Sequence, residues 1–107
     1  MKHYELTPIY DSRKSFYKKA YVTEYTPEHS ILRSYNTEVA AIKNGRFIRL
    51  WSDYSDTTQR HINEYRQQAG LDPISKKEWL NLPIEGKKPG TLTPDESLKI
   101  MLARRTA

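Results

Sequence analysis

Four residues with catalytic potential fall within nine positions: Asp53, Ser55, Thr58 and His61. On a helix, Thr58 and His61 stand at i, i+3 and can touch, and His61 and Tyr65 stand at i, i+4. A hydroxyl beside an imidazole is the beginning of a small hydrolase with His61 as its base. Such an enzyme also needs a group to orient the base and donors to hold an oxyanion. The chain has no G-x-S-x-G elbow, and nothing marks an oxyanion hole. The plainer account is structural. Asp56 caps a helix, Thr58 packs, and His61 is a half-buried histidine bonded to a sheet. That account leaves no catalytic residue, and the chain reads as a protein that is not an enzyme.

Other site chemistries are poorly supported. His3, His29 and His61 are scattered, form no H-x-H or H-x-x-x-H pair, and have no cysteine to join them. Zero cysteines exclude disulfide scaffolds, Cys-based zinc sites, Fe–S clusters and thiol catalysis. There is no Walker loop and no G-x-G-x-x-G, and four glycines are too few for either. A helix start at Thr57-Thr58 could hold one anion. No metal and no cofactor is expected.

Charge and aromatic content say more. The 107 residues carry 18 Lys and Arg against 13 Asp and Glu, for a net charge of +5. The excess is uneven. Residues 1–50 hold nine basic and five acidic side chains; residues 51–107 hold nine and eight. Lys14, Lys18, Lys19, Arg33, Lys43, Arg46 and Arg49 interleave with Tyr17, Tyr21, Tyr25, Phe47 and Trp51. Cations neutralise phosphates and aromatic faces stack bases, so a sheet displaying both has the plan of a single-strand reader. Arg13, Lys14, Lys18, Lys19, Arg46, Arg49 and Arg60 are the expected phosphate contacts. Tyr17, Tyr21, Phe47 and Trp51 are the expected stacking rings. The expected partner is RNA, single-stranded DNA or a nucleoprotein. Tyr, Trp and Arg also anchor protein interfaces, so a protein–protein module with incidental charge is the competing reading.

The elements that must position these residues follow from pattern. A mean hydropathy of -0.86 suggests disorder, but twelve aromatic residues, eight of them Tyr, supply a core that hydropathy scales miss. Residues 1–14, interrupted by Pro8, read as an extended arm or edge strand. Residues 15–25, 30–35, 38–43 and 46–51 read as four strands, with turns at Thr26-Pro27-Glu28, Asn36-Thr37 and Asn44-Gly45. Asn-Gly predicts a type I′ hairpin that sets Ala41 opposite Ile48 and Ile42 opposite Phe47. Val39, Ala41, Ile48 and Leu50 make the cleaner core face, and the opposite face would show Phe47, Arg49 and Trp51; both faces carry apolar residues, so the pattern leaves open which one is covered.

Residues 56–69 predict a helix with an Asp56–Gln59 capping box, an inward stripe of Thr58, Ile62, Tyr65 and Ala69, and Gly70 as its stop. Arg60, Asn63, Glu64, Arg66 and Gln67 are expected in solvent. Residues 75–82 predict a short helix with a Ser75–Glu78 capping box, ended by Pro83. Residues 83–92 read as a linker and 93–107 as a C-terminal helix starting at Thr93 and presenting Leu98, Met101 and Leu102. The expectation is a single α+β domain over 1–82, an antiparallel β-meander of about four strands with a helix on one face. No run approaches the ~20 apolar residues of a membrane span. No signal-peptide core is visible, which predicts a cytoplasmic protein.

Three stretches, YDSRKSFYKKA (10–20), SYNTEVAAIKNGRF (34–47) and SDTTQRHINEYRQQAG (55–70), resemble a family of small uncharacterised proteins carried by phages, plasmids and other mobile elements of Gram-positive bacteria. Its members often read close to YDSRKSFYGKA, SYNTxVA and TTxRHIxEF. Tyr10 to Tyr17 match the first motif, and Thr57, Thr58, Arg60, His61 and Ile62 the last. Lys18 replaces the usual glycine and Tyr65 the usual phenylalanine. The resemblance implies a setting, not a chemistry: a bacterial host and action on its nucleic-acid machinery or defences. One concrete version is an anti-CRISPR inhibitor of a Cas9-type nuclease. Many such inhibitors are acidic DNA mimics, whereas a basic one would suit guide RNA or an RNA–protein junction.

Overall fold

A computed structural model describes residues 1–85. The C-terminal helix expected over 93–107, and all but the first residues of the 83–92 linker, lie outside them. Five antiparallel strands form one meander in chain order: β1 (Lys2–Glu5), β2 (Ala20–Thr26), β3 (His29–Ser34), β4 (Thr37–Lys43) and β5 (Arg46–Arg49). Two helices follow, α1 (Asp56–Gln68) and α2 (Lys76–Asn81). The fold is α+β, as the pattern predicts, with β1 as a fifth strand at the edge.

The Asn44-Gly45 hairpin forms with both residues at positive φ, 53° and 78°, and sets Ala41 opposite Ile48 and Ile42 opposite Phe47. The Ser75–Glu78 capping box is present, and Gly70 closes α1 at φ 84°. The cap of α1 shifts by one residue from the expected Asp56. Ser55 is the N-cap, and its hydroxyl accepts the Thr58 amide at 3.1 Å. Residues 15–19 do not join β2. Tyr17 and Lys18 sit in the left-handed region at φ 51° and 61°, and the Lys19 amide bonds back to the Phe16 carbonyl, which makes a turn. The β3–β4 turn uses Tyr35 and Asn36 rather than Asn36 and Thr37, with Tyr35 at φ 55°.

The helices cover the face that carries Phe47, not the cleaner face of Ala41, Ile48 and Leu50. Ala20, Val22, Leu32 and Ala40 point to α1 and bury Ile62, Tyr65 and Trp79 with Leu6 and Phe16. Ser30 and Ser34 on this face bond α1 directly, Ser30 to the Tyr65 hydroxyl and Ser34 to Thr58 and His61. A bulge between Leu32 and Arg33 brings Val39 into the same core. Phe47 and Arg49 lie on this covered face, while Ala41, Ile48 and Leu50 line a shallow groove on the other with Ile31, Tyr25 and His29.

A cationic cleft as candidate nucleic-acid interface

The loop between β1 and β2 is held on α1 by a buried carboxylate. Glu64, expected in solvent, is only 1% exposed. Its Oε1 accepts the amides of Tyr10 and Asp11, both at 2.9 Å, and its Oε2 accepts Gln68 Nε2. Three donors compensate the burial of one charge. Asp11 in turn bonds the Arg13 amide at 2.9 Å and pairs with Arg60 Nη1 at 3.2 Å. The end of the loop is fixed by Ser15 Oγ on the Tyr17 amide and by Glu5 on the Lys18 amide. Tyr35 follows, its amide bonded to the Lys19 carbonyl and its ring 5.8 Å from the Lys19 ammonium.

This framework encloses a cleft of about 270 Å³. Arg13, Tyr17 and Lys19 line it from the loop, Tyr35 from the β3–β4 turn, and Thr57, Arg60 and His61 from α1. Tyr17 is 69% exposed and Tyr35 46%, so both rings stand at the rim. His61 is 0% exposed and stands at the floor, tilted against Phe16 with ring centroids 4.6 Å apart. Its Nδ1 lies 2.8 Å from Ser34 Oγ, which lies 2.9 Å from Thr58 Oγ1. Burial pushes the imidazole pKa down to about 4, against a weaker opposing pull from Asp11. His61 is therefore neutral near pH 7.

The Ser34–His61 pair superficially suggests a nucleophile and its base. Ser34 is buried, its neighbour is a weak base, and no carboxylate bonds the second ring nitrogen. That arrangement has the contacts of a core polar network and lacks the orienting acid of a triad. Among the described residues no group of three or more His, Asp or Glu is placed to hold a metal ion.

Of the residues expected to bind, the cleft gathers Arg13, Tyr17, Lys19 and Arg60. Lys14 and Lys18 are exposed on the same loop. The others lie elsewhere. Tyr21 is on the open sheet face, stacked on His3 with centroids 5.3 Å apart. Arg46, on that face too, forms a two-point bond with Glu85 at 2.8 Å.

Arg49 cannot contact phosphate in this fold. It is 5% exposed and donates to the carbonyls of Trp51, Ser52, Leu80 and Leu82, joining β5 to the segment after α2. Phe47 is sandwiched between Trp79 and the Arg66 guanidinium, and Trp51 packs on the core, so neither offers a free face comparable to Tyr17. Sequence reasoning missed Tyr35 as a cleft residue. Its only signal is a position beside Asn36 at the hairpin turn.

Residues 4–81 match a family of unknown function, DUF8033. The chain belongs to that family. No curated protein matches it, and no solved structure does. The whole cleft of this DUF8033 chain, from Arg13 to His61, lies inside the matched span.

Proposed function

We propose that this protein binds single-stranded nucleic acid, free or within a ribonucleoprotein, and performs no chemistry on it. One observation carries the reading: three cations and two exposed tyrosine rings converge on a single small cleft. Cations supply sequence-independent affinity for phosphates, and rings at the rim supply stacking for bases. The backbone supports it. Tyr17 and Tyr35 both sit at positive φ, a conformation that costs a bulky residue of the order of 1 kcal/mol or more and that clusters at ligand sites.

The three stretches that resemble mobile-element proteins also meet at this cleft. Arg13 and Tyr17 come from the first, Tyr35 from the second, Thr57, Arg60 and His61 from the third. In that setting the partner would be a host ribonucleoprotein, and an anti-CRISPR gripping the RNA of a Cas9-type complex is the concrete form of the proposal.

A second reading rests on the open sheet face. Ile31, Ala41, Ile48 and Leu50 line a groove of about 750 Å³ there, rimmed by Lys43, Arg46 and Glu85. An apolar floor with a charged rim fits a protein partner. Gel shifts on single-stranded RNA, single-stranded DNA and duplex at several salt concentrations separate the two. Salt-sensitive binding of single strands supports the first. A pull-down whose partner survives nuclease treatment, with no oligonucleotide binding at low salt, supports the second and ends the first.

A further inference from the structure

One face of the sheet packs on α1 and α2; the other carries the groove floored by Ile31, Ala41, Ile48 and Leu50. Every residue lining that groove lies on β2 to β5 or directly after β5, except Glu85. Ile31, Ile48 and Leu50 are half-buried there. Aliphatic side chains left at a sheet surface gain free energy in proportion to the area a further layer covers.

Glu85 shows where the chain goes next. It is the last described residue and is itself part of the groove. Its amide donates to the Arg49 carbonyl at 2.8 Å, and Ile84 pairs in parallel with Arg49. Its carboxylate accepts both terminal nitrogens of Arg46, each at 2.8 Å. Residue 86 therefore starts at the edge of the open face. Residues 86–107 read GKKPGTLTPDESLKIMLARRTA. Thr93, Pro94 and Glu96 make a helix start, and Leu98, Met101 and Leu102 stand at i, i+3 and i+4. A helix this short is marginal alone in water and is stabilised by packing its apolar side.

We propose that residues 94–105 fold as an amphipathic helix on the open sheet face, with Leu98, Met101 and Leu102 seated in the groove of the same chain. Three observations choose this occupant. The first is reach. Residues 86–93 can extend up to ~29 Å, and five strands span roughly 19 Å from edge to edge. A helix over 94–105 is about 18 Å long, within the ~23 Å length of a seven-residue strand such as β4. The second is charge. Lys43 and Arg46 stand together at the β4–β5 end of the groove, and the first turn of the helix carries Asp95 and Glu96. The third is attachment. A segment joined to the rim at Glu85 meets the groove at an effective concentration of the order of millimolar, which a second copy or a separate partner must exceed. Such a helix is independent of the cleft, and it fills the groove that a protein partner would otherwise take.

The test uses the full chain. It has no cysteine, so Ala103→Cys gives one site for a nitroxide label. In nitrogen-15 spectra the amides of Ile31, Ala41 and Ile48 should lose most of their intensity, while those of α1, beyond the sheet, keep most of theirs. Adding Leu98→Asp should restore the groove signals. Hydrogen exchange over residues 97–103 should then run at least about tenfold faster, the scale expected for unburying one leucine. Leu98 lies outside the described body, so this variant leaves the sheet intact.

Groove amides untouched by the label, or broadened equally with Leu98→Asp, would overturn the proposal. Broadening of Lys19, Tyr35 and Arg60 instead would place the segment at the cleft and overturn it as well. In a mixture of nitrogen-15 protein without label and labelled protein without nitrogen-15, the groove signals should stay sharp. Their loss there would mean that a second copy supplies the helix, and would overturn its docking in the same chain. None of these readouts involves an oligonucleotide, so failure of the single-strand reading leaves them unchanged.

Discussion

Lys18 holds φ 61° where the resembling proteins usually have glycine, and the backbone explains that glycine. A side chain in the left-handed region meets its own carbonyl, whereas glycine has no Cβ to clash. The Lys18 amide bonds to Glu5 Oε2, so the turn itself does not depend on the side chain. Lys18→Gly is therefore expected to raise stability by about 1 kcal/mol, measured by denaturant melts, with the cleft unchanged. At His61 the fold alters an ionisation. Its folded pKa of about 4 lies below the ordinary histidine value of 6.5. Between those values the unfolded chain binds the extra proton, so stability falls as pH drops. The contribution is whole above pH 6.5 and disappears as pH falls through 4. By pH 5 the loss is about 2 kcal/mol. Melts at pH 7.5 and 5 should show that drop, and His61→Gln should abolish most of the difference. A pH-independent midpoint in the unsubstituted protein would mean that the imidazole is not sealed from water.

The long loop before β2 and the helix α1 act as one element because Glu64 joins them. Its two carboxylate oxygens take three N–H donors, two of them loop amides. Glu64→Ala removes all three bonds from a buried site and is expected to cost about 2–3 kcal/mol. It should also release Arg13 and Tyr17 from the cleft, so single-strand affinity should fall together with the melting midpoint. Glu64 shows why part of the site was hidden in the sequence. A helical wheel scores carboxylates as solvated, and it cannot register loop amides from 53 and 54 positions away. Arg49 failed in the same way: its four carbonyl acceptors come from two separate segments. Local signals did better. Asn44-Gly45 and Ser75–Glu78 are complete within a few residues, and both formed as read. The choice of sheet face lies between these extremes. Both faces carry aliphatic residues, and the bulge that moves Val39 inward arises from cross-strand pairing. Arg13, Tyr17, Lys19 and Arg60 were legible as cations and rings. Their meeting point was not, because a non-local carboxylate sets it.

Across the whole molecule the basic surplus splits into two populations with different expected roles. Arg13, Lys19 and Arg60 share one cleft, and among the described residues Arg60 alone of the three has a carboxylate partner, Asp11, with the Arg60 side chain still 44% exposed. On the open sheet face Arg46 is held by Glu85 through both guanidinium nitrogens, and that bond keeps the carboxylate below its usual pKa. Arg49 is internal. Net charge therefore overstates the cations available to a strand. Three cleft contacts imply a slope of log affinity against log salt near −2 for single strands, at about 0.7 per phosphate neutralised. Removing one by Arg13→Ala should bring the slope nearer −1.4 and weaken binding to all sequences alike. Arg46→Ala serves as the matched control: the same charge is lost from the molecule, on the other side of the sheet, from a group already paired. If long-range field governed association, both variants would weaken binding equally. Because the contacts are local, only Arg13→Ala should change the slope. A slope that moves equally for Arg46→Ala would transfer the binding surface from the cleft to the open face.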